Sequence, residues 1–217
     1  MADATLASHL FSPLTLRGTT FRNRVFVSPM CEYSAVDGVP QDWHLVHLGS
    51  FARGGAGLVL TEATAVTPEG RISPADTGIW NDEQAEAWQR IVAFIRDQET
   101  VPGIQLAHAG RKASTAKPWE GGGYVSPEDG GWDDVVAPSS VAFGALPAPS
   151  ALSVDDIAAV VRAFAEAARR ADAVGFEVAE VHDDGRRFTL SEPVERQARH
   201  MRPSRPRRVE LGAESLR

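Results

Sequence analysis

The chain has 217 residues, of which 43% are hydrophobic and 24% charged, proportions ordinary for a soluble globular protein large enough to bury a real core. No apolar run reaches transmembrane length, and the start MADATLASHLFSP has neither the basic end nor the apolar core of a secretory signal, so the expectation is a cytoplasmic protein with no membrane partner. The single cysteine excludes an internal disulfide, and the net charge of −7 is unevenly spread: residues 186–217 carry nine arginines against four acids, a balance of +5 that leaves −12 for the rest, as a separate tail would.

In chain order, Leu14 to Phe21 reads as a small hairpin turning at Arg17-Gly18, placed to close one end of the fold. Val25 to Val27 is a short buried strand, and Pro29 forbids further ladder pairing just where Ser28, Met30, Cys31 and Tyr33 begin. Trp43 to Arg53 is a predicted helix stopped by Gly54-Gly55. Leu58 to Leu60 is a second strand, leading into Thr61-Glu62-Ala63-Thr64. A helix capped by Asn81, with Gln84 reaching back, presents Trp88, Ile91, Val92 and Ile95 at helical spacing. Val101 to Leu106 is the third strand and ends in Ala107-His108-Ala109-Gly110-Arg111-Lys112.

A long loop from about Ala107 to Leu152 follows, rich in Gly, Pro, Ser and Trp. Its length and its place above a strand end fit a lid over a substrate site, and equally a surface excursion. Ser153 with Asp156 opens a third helix whose inward face would be Ile157, Val160, Val161, Phe164, Ala168 and Ala171. Val178 to Val181 is the fourth strand, leading into His182. Four strands alternating with helices, each ending in polar or sulfur-bearing residues, is the α/β pattern of a (β/α)8 TIM barrel, with about the first four βα units in view.

The candidate pocket is therefore Ser28, Met30, Cys31, Tyr33, Ala63, Gln105, His108 and His182. Gln105, inside an apolar strand, must find partners for both ends of its amide, and the edge of a flat heteroaromatic ligand offers them. Cys31 is either a small buried hydrophobe or a functional thiol, and His182 either a satisfied core histidine or a neutral donor. His44 and His47 share a helix face, and with His108 allow a zinc-hydrolase reading. A helical pair supplies too few ligands, so packing or capping is preferred and no metal is expected.

The motifs SPMCEYS, TEATAVTPEGRIS, GIWNDEQ, GIQLAHAGRKAS, VAPSS and GFEVAEVH, in this order, resemble the Old Yellow Enzyme family of FMN-dependent ene-reductases, in its cysteine-containing, thermophilic-type branch. The resemblance covers about Leu10 to His182. It implies a TIM barrel with FMN at the carboxyl ends of its strands, NAD(P)H as reductant, and an enone or enal as the small-molecule partner, with no nucleic acid and with room for self-association into a homo-oligomer. By resemblance, Ser28, Pro29, Met30, Cys31, Ala63, Gln105 and His182 would hold the flavin, while Tyr33 and His182, with Cys31 as a redox-tuning thiol, would serve catalysis.

Two departures stand out. The family's His-x-x-His-x-Tyr motif begins at His182 but continues with Gly185 and Arg187, halving the carbonyl-binding pair and putting a guanidinium where an acid belongs. The phosphate site of a barrel normally follows strands seven and eight, beyond the four strands read here. Residues 1–182 are thus expected to be the N-terminal half of an FMN-binding barrel with impaired activity, the other reading being a non-catalytic remnant that pairs its bare sheet edge with another chain. Residues 183–217 are expected to be a disordered arginine-rich tail. Nucleic-acid contact is one reading of that tail, and out-of-frame translation is preferred. Glu192-Pro193-Val194-Glu195-Arg196 written GAG CCC GTT GAG CGG and moved by one base gives Ser-Pro-Leu-Ser-Gly, close to the family's continuation.

Overall fold

A computed structural model describes residues 9–182 and the backbone of residues 183 and 186–190. The hairpin forms as β1 (Leu14–Leu16) and β2 (Thr19–Phe21), paired antiparallel, with Arg17 taking the left-handed turn at φ 53°. The main sheet contains β3 (Phe26–Val27), β4 (Leu58–Ala65), β5 (Val101–Ala107) and β8 (Val178–Asp183), all parallel and in chain order. Helices α1 (Asp42–Arg53), α2 (Asp82–Asp97) and α3 (Val154–Val174) make the crossovers. This is the start of a (β/α)8 barrel, as the alternation predicts.

Local chemistry explains the helix boundaries. The side chains of Asn81 and Ser153 accept from the backbone N–H of Gln84 and Asp156, and those two side chains return the bond, so both capping boxes read from sequence are formed. Helix α3 ends on Gly175 at φ 103°, a conformation that favours glycine. The core lies between the helices and one face of the sheet, where Trp88, Ile91 and Ile95 of α2 meet Val59, Ile104 and Leu106.

Three features differ from the sequence reading. Strand β4 runs on to Ala65 through an irregularity between Leu60 and Ala63, which re-aims Thr61 and Glu62. The first two turns of α3 are not an inward face: Ile157 is 44% and Val161 39% exposed, and burial begins at Ala167. Helical period marks a stripe as apolar, but does not say that a neighbour covers it. Finally, Arg186–Leu190 forms a strand, β9, antiparallel to β8 with His182 opposite Arg187. The start of the expected disordered tail is therefore a strand, and the edge of β8 expected to be bare is paired from Ala179 to Asp183. Phe188, Thr189 and Leu190 have good strand propensity, and a row of unpaired β8 backbone groups rewards pairing even without a clean alternation. Residues 191–217, with the out-of-frame reading, lie outside the described residues.

The long loop contains three single 3-10 turns and a two-stranded ladder, β6 (Val136–Ala137) with β7 (Ser150–Ala151). It is pinned to the barrel. The Trp132 indole donates to the Glu69 carbonyl at 3.1 Å. The Arg71 guanidinium lies between the rings of Trp132 and Trp80, 4.8 and 5.4 Å from their centroids. Among the described residues no helix is long and apolar enough to cross a membrane.

Candidate flavin site

At the carboxyl ends of the parallel strands the chain forms a cavity of about 890 Å³, within the roughly 300–1,000 Å³ usual for small-molecule sites. Each strand contributes to its wall. The segment after β3 brings Ser28, Pro29 and Cys31, β4 brings Ala63, β5 brings Gln105, and β8 brings His182. His108 also borders it, as expected, and so do three residues the sequence reading placed in helix packing, Val160, Val161 and Phe164 of α3. Met30 and Tyr33 are not on this wall. Met30 is 49% exposed. Tyr33 takes a left-handed backbone at φ 50° and packs edge-on against Trp119 of the long loop at 5.3 Å.

The thiol of Cys31 and the phenol of Tyr33 are held in their neutral, donor-bearing forms. Burial, reinforced by the nearby carboxylates Asp76 and Glu62, pushes the Cys31 thiol up to about 12, against an opposing hydrogen bond from Tyr33. Burial likewise raises Tyr33 to about 12, with Cys31 the next cause. At neutral pH the pair is thiol and phenol.

Behind Cys31 lies a buried carboxylate network. Glu62 (1% exposed) accepts from the Glu32 backbone N–H at 2.7 Å and lies 3.0 Å from Nε2 of His44 (0% exposed). Because the Gln41 N–H donates to His44 Nδ1 at 2.9 Å, the proton must sit on Nε2, and neutral His44 donates to Glu62. His44 thus caps and braces, as the packing reading had it. Among the described residues no group of three or more His, Cys, Asp or Glu could hold a metal ion.

His108 accepts the Gly110 N–H on Nδ1 at 3.0 Å. Its Nε2 is buried with no hydrogen-bond partner among the described residues, 3.9 Å from Glu69, an attraction without a formed bond. The imidazole is nevertheless the largest influence holding the Glu69 carboxyl down at about 2, burial opposing it. Gln105 donates to Glu180 through Nε2 at 2.6 Å. Glu180 went unnoticed in the sequence, although a charged residue in the apolar run Val178-Ala179-Glu180-Val181 was the available signal.

The sequence pattern of the NADH:flavin oxidoreductase / NADH oxidase family matches residues 9–185. The chain belongs to this family. It is 47% identical over 180 residues to an NADH:flavin oxidoreductase of Gibberella zeae, covering 81% of this chain and 44% of that protein. It is 43% identical over 178 residues to an NADPH dehydrogenase of Bacillus cytotoxicus, covering 81% and 47%. Among solved structures it superposes on the Old Yellow Enzyme of Pichia sp. AKU4542 with a TM-score of 0.69 at 26% identity, over 80% of this chain and 45% of that one. The chain spans about half the length of the curated relatives it matches.

FMN is the cofactor that family membership implies, with NAD(P)H as reductant. The wall fits the ring of such a group. An amide, a neutral thiol, imidazoles, the cations Arg111 and Lys112 and apolar side chains border the cavity, and among the described residues no Asp or Glu does, so the described wall does not repel an electron-rich ring or a phosphate-bearing ligand.

Proposed function

We propose that this chain carries the flavin-facing wall of an ene-reductase, which takes hydride from NAD(P)H and passes it to the β-carbon of an α,β-unsaturated carbonyl compound. The observation that supports the reading is the meeting of Ser28, Pro29, Cys31, Ala63, Gln105 and His182 around one cavity. FMN, when bound, supplies the hydride chemistry. The residues of the chain supply place and polarity. Gln105 meets the polar edge of the ring, Ala63 leaves room for its plane, and Ser28, Pro29 and Cys31 run beside it. Cys31, as a neutral thiol, presents a polarisable sulfur without adding a negative charge.

His182, which borders the cavity, is the donor for the substrate carbonyl, whose oxygen gathers negative charge as hydride arrives. Tyr33, off the cavity wall against Trp119, stays a neutral phenol across the physiological range and adds no negative charge near the site. Arg187 cannot release a proton at neutral pH, so the α-carbon draws its proton from another donor or from water. One missing preorganised donor costs roughly 10²–10³ in rate. The test is anaerobic addition of NADPH to the FMN-loaded protein, followed by cyclohexenone. Bleaching near the flavin maximum and recovery on adding the enone support the proposal. Flavin that stays oxidised, or stays reduced after the enone, refutes it.

A further inference from the structure

Resting on that reading, the contact between Gln105 and Glu180 assigns a role to a residue outside the cavity wall. The two are direct neighbours in the β5–β8 register and lie 8% and 6% exposed. The 2.6 Å bond runs from Nε2 of Gln105 to Oε1 of Glu180, so the nitrogen prong of the amide faces the carboxyl group. The carbonyl oxygen is left as the other prong, with no donor among the described residues, on a side chain that borders the cavity.

We propose that Glu180 is a positioning residue that locks the Gln105 amide with its oxygen presented to the cavity, a fixed acceptor for the imide N–H of the flavin pyrimidine ring. Without the carboxylate the amide can rotate by half a turn and offer a second N–H instead, which that imide cannot use. A residue that only filled space would not care which prong faced the ligand.

The experiment titrates the purified chain with riboflavin and with 3-methylriboflavin, which lacks the imide proton, following flavin fluorescence in the wild type and in Glu180→Gln. The wild type is expected to favour riboflavin roughly tenfold, the worth of about one hydrogen bond, and Glu180→Gln to lose most of that preference, because its neutral amide accepts either orientation of Gln105. Equal preference in both proteins overturns the proposal, whereas a uniform loss of affinity for both flavins would mark Glu180 as merely structural and also overturn it. Side-chain amide exchange at Gln105, read by nitrogen-15 NMR on flavin-free protein, decides the orientation independently. One slowed amide proton in the wild type that becomes fast in Glu180→Gln supports the lock, and identical exchange in the two contradicts it. If the wild type binds neither flavin, the proposed function fails, and the exchange measurement still decides whether the amide is locked.

Discussion

Replacing Glu32 by Gln should make the protein more stable at alkaline pH and leave it unchanged in acid. Burial, with the Glu62 charge next and the Trp43 indole opposing, raises the Glu32 carboxyl from 4.5 to about 8, and its Oε2 is buried with no hydrogen-bond partner among the described residues. A carboxyl that holds its proton more tightly when folded contributes stability fully below its unfolded value of about 4.5. That contribution drains away as the pH rises toward 8. The full displacement is worth up to ~5 kcal/mol in a dry site, but Glu32 is only half-buried, and solvent screening reduces this to ~1–2 kcal/mol. Thermal unfolding followed by circular dichroism should therefore place Glu32→Gln about 2–8 °C above the wild type at pH 9 and level with it at pH 4.5. A difference that does not vary with pH would refute the reasoning.

Two further substitutions probe the frame around the cavity. His44→Leu strips the buried Glu62 carboxylate of its side-chain donor and the Gln41 N–H of its acceptor, and is expected to cost ~3 kcal/mol in urea unfolding; a loss under ~1 kcal/mol would mean that the network relaxes around the change. Trp132→Ala removes both the Arg71 stack and the bond to Glu69, worth together ~1–3 kcal/mol, and should speed proteolytic cutting within residues 118–148 by about tenfold or more with the melting point little changed, whereas unaltered cutting would show that other contacts hold the loop.

Much of this was legible in the residues because the signals were local. Asn81 with Gln84 and Ser153 with Asp156 announce capping boxes, since the partner lies three residues away and needs no tertiary context. The ends of β3, β4, β5 and β8 announce the cavity, because a polar residue after an apolar run has few other places to go. What escaped depends on partners distant in sequence. The pairing of Gln105 with Glu180 spans 75 residues, and the bracing of Glu62 by His44 turns on the irregularity in β4 that no apolar pattern encodes. Strand β9 escaped for a related reason, its place being set by the open edge of β8 rather than by its own alternation. Tyr33 was read as a wall residue because it follows the end of the first strand, and nothing local announces that its left-handed backbone at φ 50° sets it against Trp119 instead.

The central claim, that this wall receives an isoalloxazine ring, is tested most directly by equilibrium dialysis of the purified chain against FMN, with Gln105→Leu beside it. The account predicts saturable uptake approaching one flavin per chain, accompanied by a change in the visible spectrum, and weaker uptake by the variant. Wild-type protein that takes up no more FMN than the buffer compartment would contradict it.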